Sequence, residues 1–181
     1  RTYEFRIRPG IRFHSGDALT AEDIKFTFDR LVKPNAMGGQ TSPRQGLLGP
    51  LEDTVVVDER TVRMMLREPW PILPAMLPFQ EVVNRRQVER VGQEGMQSRP
   101  DGCGPYKLAE WRRGEAVIME RFADYYGGSP EIPPAGPAQV DRAIFRVIPE
   151  NSARIAALLA GEVDILSELP ASAMRQVQAS R

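Results

Sequence analysis

Tyr3-Glu-Phe-Arg-Ile-Arg-Pro-Gly-Ile-Arg-Phe-His-Ser-Gly-Asp17, followed by Leu19-Thr-Ala-Glu-Asp-Ile24, carries most of the information on how this chain folds. Tyr3, Phe5 and Ile7 alternate with Glu4, Arg6 and Arg8, the period of a half-buried strand. Pro9-Gly10 predicts a turn, and Ile11 with Phe13 a second short strand. His14 to Asp17 forms a loop before a helix. Thr20 is its predicted N-cap, with Asp23 replacing the usual Glu of a capping box. Ile24, Phe28 and Leu31 then recur at helical spacing and supply a core face.

Outward from this stretch the same rules place the remaining elements. Lys33 to Pro50, rich in Gly and Pro, reads as a loop with room for one short helix. Thr54–Val57 and Thr61–Leu66 read as a hairpin around Asp58-Glu59-Arg60. Pro69-Trp70-Pro71 breaks it, and Ile72–Leu77 forms a short helix. Glu81–Val83 is predicted as a strand, Arg85–Val91 as a helix, and Gly92–Gly104 as a loop between two halves. Strands follow at Tyr106–Trp111 and Ala116–Arg121, then turns from Ala123 to Ala138 that include a Pro-rich insert at Ile132–Pro137. Val140–Ile148 is a strand, Ser152–Leu159 a helix closed by Gly161, Val163–Leu166 a strand and Ala171–Val177 a last helix. Strands and helices without strict alternation predict an α/β fold with a mixed sheet and α+β character.

Composition narrows the function. Lys+Arg and Asp+Glu stand at 24 each, so no net field draws the chain to nucleic acid or acidic lipid. A content of 41% hydrophobic and 27% charged residues describes a globular protein, without the ~20-residue apolar run of a membrane span. One Cys excludes an internal disulfide, and one Cys plus one His is too few soft ligands for a zinc or iron–sulfur site. The opening on Arg1, without Met or leader, and the abrupt Gln-Ala-Ser-Arg ending are expected of a piece of a longer product.

No catalytic set emerges. His14 lacks a second ligand or base and reads as a loop histidine; Cys103, between glycines, reads as a small packed residue. Gly102-Cys103-Gly104 leads into a strand through Pro105, not into the helix that a phosphate loop needs. Glu110, Glu115 and Glu120 are expected to be solvated strand residues. Trp111 is expected in the core, Trp70 as a packing plug, and Tyr125-Tyr126 as a turn anchor. The reading is of a non-enzyme with no catalytic residue, no metal site and no cofactor.

Several segments together resemble the bacterial extracellular solute-binding proteins of family 5. These include oligopeptide-, dipeptide- and nickel-binding components of ABC importers. The stretch from Tyr3 to Ile24 resembles the family signature. Gly102-Cys-Gly-Pro-Tyr-Lys-Leu108 with Trp111 is similar to the family's Gly-Thr-Gly-Pro-Tyr segment and its following Trp. Glu120 to Gly128 resembles its Glu-Arg-Asn-Pro-Asp-Tyr-Trp-Gly-Gly; Phe145–Pro149, Arg154 and Leu158–Ile165 match its next block. Departures are Cys103 for Thr, Phe122-Ala123 for Asn-Pro, Tyr126 for Trp, and the Pro-rich insert.

The resemblance implies a fragment of a bilobed protein, like the type II periplasmic binding proteins. Residues 1–80 would be the small extra subdomain of lobe 1 and 81–181 part of its core, with lobe 2 outside the chain. It implies capture of a small solute, a peptide first of all, by hinge closure for delivery to a membrane ABC permease. It also implies a periplasmic or lipid-anchored extracellular location, with a signal peptide in the precursor. The alternative is a cytoplasmic solute-sensing domain of a transcription regulator on the same fold. The expected partners are therefore a small-molecule or peptide ligand and the permease, with no nucleic acid; the fragment itself is expected to self-associate through exposed sheet edges. By position in loops, Gln40 and Arg44 in the 36–46 stretch, with Phe79 and Gln80, are the expected ligand contacts.

Overall fold

The computed structural model describes residues 1–131 and 135–180. Six strands and five helices follow in the order β1 (Thr2–Arg6), α1 (Ala21–Val32), β2 (Leu51–Asp58), β3 (Thr61–Leu66), α2 (Leu73–Met76), α3 (Arg85–Ser98), β4 (Tyr106–Arg112), β5 (Ala116–Arg121), β6 (Arg142–Arg146), α4 (Asn151–Leu159) and α5 (Met174–Gln178). Two three-stranded sheets result, ordered β1-β3-β2 and β4-β5-β6, which makes the mixed α/β class read from the sequence. The chain divides into two compact units, residues 1–109 with 119–142 and residues 110–118 with 143–181. Residue 80 lies inside the first.

In the first unit β3 is the central strand. It pairs antiparallel with β1, Tyr3 opposite Met64, and with β2 through a hairpin that shifts register near both ends. The period of two explains the packing: Val62, Met64 and Leu66 of β3 point inward while Arg63 points out and pairs with Glu4 at 2.8 Å. Helix α1 starts where the sequence places it. The Asp23 carboxylate accepts from both the backbone N–H (3.0 Å) and the hydroxyl (2.8 Å) of Thr20. Its inner face brings Phe28 against Leu48, Leu51, Met64, Leu66 and Leu73, a contiguous core edged by Tyr3, Phe5, Ile24 and Trp70. Each such side chain contributes about 1.5–3 kcal/mol on burial. Trp70 is the plug expected of it; a Cβ on Gly49 would lie 2.9 Å from its ring, so only glycine fits there.

Several elements differ from the reading above. Ile11 to Phe13 forms no strand, only an isolated bridge from Arg12 to Ala18. The loop folds back on itself instead, Phe13 donating to Asp17 O (2.8 Å) and Gly16 to Phe13 O (2.9 Å). Glu81–Val83 is not a strand either, because its neighbourhood bonds to helix side chains: Val83 N–H donates to Thr27 Oγ1 (3.0 Å), and Arg85 N–H to Asp23 Oδ1 (3.1 Å). Gly92–Gly104 is not all loop. Gly92 takes φ 72°, kinks α3, and the helix resumes through Gln93, Glu94, Met96 and Gln97 to Ser98.

The second unit has α4, closed before Gly161 as expected, and α5, preceded by a 3₁₀ turn over Ala171–Ala173 where one continuous helix was predicted. Strand β6 is shorter than the predicted Val140–Ile148. Val163–Leu166 forms no strand: among the described residues no ladder partner faces it, and Ile165 is 87% exposed. Trp111 is not core. It is 41% exposed, with the Arg113 guanidinium 4.9 Å above its ring. Of the Pro-rich insert, residues 132–134 lie outside the described residues.

Candidate functional site

A hollow of about 290 Å³ opens in the first unit between the C-terminal half of α1, the loop after it, and the segment entering α3. Thr27, Arg30 and Leu31 come from the helix; Met37, Ser42, Pro43 and Arg44 from the loop; Gln80, Glu81 and Val83 from the third wall. Each wall has a local cause. Residues 27, 30 and 31 share one helical face. Backbone bridging between Met37 and Gln40 (2.9 and 3.3 Å) tightens the loop, and the buried Ser42 hydroxyl accepts from Arg44 N–H at 3.1 Å. Leu77–Phe79 form a 3₁₀ turn that Gln80 N–H closes onto Leu77 O at 3.0 Å.

Two guanidiniums dominate the electrostatics. Arg44 is exposed and bonds Glu81 Oε2 at 3.2 Å and the Phe79 carbonyl at 3.4 Å. Arg30 sits deeper, its side chain over the Phe26 ring at 5.3 Å with one nitrogen donating to Gln93. Its Nε finds no partner among the described residues, and burial pushes its pKa below the ordinary guanidinium value. Gln80 is 7% exposed, and neither its Nε2 nor its Oε1 meets a partner among the described residues. A buried amide normally satisfies both atoms, so the wall holds an unspent donor and an unspent acceptor.

Of the residues expected from the sequence, Arg44 and Gln80 line this hollow together. Neither Phe79 nor Gln40 is in the lining: Phe79, 64% exposed, only accepts from Arg44 through its carbonyl, and Gln40 is exposed. Arg30, Thr27, Ser42 and Glu81 were missed. The signal for Arg30 and Thr27 was present, a polar pair three residues apart on a helix whose other face is apolar.

The other singled-out side chains make local contacts. His14 Nε2 lies 3.0 Å from Gly104 O and its ring meets Phe122 edge-on at 5.0 Å. Cys103 is a half-buried free thiol whose pKa burial pushes up. Glu110 and Glu115 bond Arg112 (2.8 and 3.3 Å), while Glu120 pairs with Lys107 at 3.0 Å. Tyr125 packs its hydroxyl against Gly128, with Tyr126 beside it at 4.7 Å. No group of His, Cys, Asp and Glu suited to a metal ion occurs among the described residues.

The most connected polar residue outside the hollow is Asn84, fully buried. Its Oδ1 accepts from Arg86 N–H (3.0 Å) and caps α3. Its Nδ2 donates to Asp101 (2.7 Å), Asp17 (2.9 Å) and Ser15 (3.4 Å). That amide holds the Asp17 carboxyl below the usual carboxylate range.

Comparison with known proteins follows the same lines. The glutathione-binding protein GsiB of Pectobacterium atrosepticum is 28% identical over 171 residues, 93% of this chain and 31% of that relative. Among solved structures, the PBP AgaA with agropinic acid from A. tumefaciens R10 superposes with a TM-score of 0.81 at 26% identity, over 98% of this chain and 34% of that one. The dipeptide-binding protein of Pseudoalteromonas sp. SM9913 with Met-Leu, 23% identical, shares the fold with a TM-score of 0.85 over 99% of this chain and 38% of its own. The chain thus spans about a third of the length of the relatives it matches. The family model for bacterial extracellular solute-binding proteins, family 5 Middle, matches residues 1–181, and the chain belongs to that family.

Proposed function

We propose that the chain is part of the solute-capturing component of an ABC importer working outside the cytoplasmic membrane, and that the hollow at Arg44 and Gln80 is one face of its ligand site. Family membership supports the class. The observation that carries the site is the pairing of an exposed guanidinium with an amide whose donor and acceptor are both unspent, on one 290 Å³ hollow. A guanidinium suits a carboxylate, and an amide suits a peptide group, so a short peptide is the solute the walls fit best. No reaction is involved. Binding to this face together with a second lobe elsewhere in the longer protein would stabilise a closed state by contacts to both, and the permease would receive the solute from it.

Mass spectrometry of solute co-purifying with the full-length protein identifies the ligand, and calorimetry then compares Arg44→Ala with wild type. Losing a charge-assisted contact is expected to weaken binding about tenfold or more, ~1.5–3 kcal/mol. Unchanged affinity would remove this hollow from the site. The 181-residue chain should bind the same solute roughly a thousandfold more weakly than the full-length protein, since only one set of contacts remains. The reading also includes self-association of the chain alone through its outer strands β1, β2, β4 and β6. Light scattering that shows a monomer at all concentrations counts against that part.

A further inference from the structure

A second hollow of about 210 Å³ lies in the first unit, and Gln80 lines it as well. Its walls are otherwise almost wholly apolar. Val62, Met64 and Phe28 form a buried floor, while Phe5, Ile24 and Val82 stand half-buried around it. The one charged side chain at this hollow, Arg6, is exposed.

The combination is chemically specific. In apolar surroundings an amide with both atoms unpaired destabilises the fold, since water would otherwise serve both. Its complement is another amide: Gln80 Nε2–H donates to the incoming carbonyl while Oε1 accepts the incoming N–H. A carboxylate has no proton to give Oε1 and would enter an apolar hollow as a charge. A ketone satisfies only the donor.

We propose that this hollow is an accessory site for a small neutral carboxamide carrying a branched aliphatic group. The amide pairs with Gln80 and the aliphatic part lies on Val62 and Met64. The volume suits such a ligand, being several times the ~30 Å³ that one water occupies in the liquid. The site shares the Gln80 amide with the solute hollow, so one ligand at a time can use it, but its apolar floor is separate: Met64 and Val62 do not line the first hollow.

The 181-residue chain, labelled at its methionine methyls, is titrated with isovaleramide, isovalerate and 4-methylpentan-2-one. Isovaleramide is expected to move the Met64 methyl resonance saturably, with a Kd on the order of 1 mM for so small a probe. The other two should bind at least about tenfold more weakly. Gln80→Leu should abolish the preference and, by deleting an unpaired buried amide, raise Tm by about 2–4 °C. Equal binding of all three probes, a Met64 methyl that does not move, or a fall in Tm on Gln80→Leu would each overturn the proposal. Gln80→Leu touches both hollows, but solute affinity of Arg44→Ala reads the first and the Met64 methyl reads the second, so failure here is distinct from failure of the solute-capture reading.

Discussion

The two units bury very different things. In the first, Phe28, Leu48, Leu51, Met64, Leu66 and Leu73 meet in one cluster beneath a helix-covered sheet. In the second the buried apolar residues among those described are Ala116, Ile118, Ala157 and Ala173, while Phe145, Ile144 and Val147 of the β6 region stand largely in solvent. One region holds a core of large side chains and the other mostly methyl groups. Cooperative stability therefore resides in the first unit. Large exposed apolar side chains close together mark a surface suited to being covered.

The largest expected effect tests that contrast directly. Phe28→Ala should lower unfolding free energy in urea by about 3–5 kcal/mol, through lost burial and the cavity left behind. Phe145→Ala, 61% exposed, should lower it by less than about 0.5 kcal/mol. Comparable losses would mean that the second unit packs far more tightly than its burial indicates.

Asn84→Ala comes next, at about 2–3 kcal/mol by the same measurement. It removes a helix cap and leaves the buried Asp101 carboxylate without its amide donor. A loss under ~0.5 kcal/mol would separate the loop at 14–17 from the core of the first unit.

A smaller contrast compares native with unfolded chain at a single thiol. With burial holding the Cys103 pKa up, less thiolate is present at neutral pH. Thiol-reagent labelling should be at least about tenfold slower than in urea, and equal rates would contradict the packed position.

The smallest effect sits on the first unit's surface, where Lys25 and Lys33 bracket Asp29 and Asp53 at 2.8 to 3.7 Å. The bond donated by Lys33 lowers the Asp53 pKa, and its bonds to Asp29 and Asp53 raise that of Lys33. A lowered carboxyl pKa stabilises above its unfolded value near 3.9 and is lost as pH falls through the folded value. A raised lysine stabilises below about 10.4 and is lost as pH rises through its folded value. Asp53→Asn should therefore cost about 0.5 kcal/mol at pH 7, discounted for exposure, and that difference should shrink toward pH 3. A difference constant from pH 7 to pH 3 would assign the loss to packing.

Legibility in the sequence followed the range of the forces involved. The strand at Thr2, the capped helix α1, the β2–β3 hairpin and the ordered family blocks rest on periodicity and neighbours within a few residues, and they were readable. Glu81–Val83 was misread because the acceptor of Val83 N–H, Thr27 Oγ1, lies 56 residues away on a helix. Gly92 was taken for a loop since composition cannot separate a kink from a break. Trp111 was placed inside because it lies on a predicted strand in a family block, but the residue itself belongs to the thinly packed unit. At the hollow, loop position led to Arg44 and Gln80, whereas Arg30 was overlooked because α1 was read only for its apolar face.

Asn84 also has a consequence in time. Its partners lie 67, 69 and 17 residues away in sequence, at Asp17, Ser15 and Asp101. The long loops between them must close before the amide finds its acceptors, whereas α1 and the β2–β3 hairpin need only local closure. The knot at Asn84 should therefore form after the folding barrier has been crossed. Removing it should accelerate unfolding while leaving the refolding rate nearly unchanged, so this one side chain acts as a latch on the lifetime of the folded chain and hardly at all on its birth.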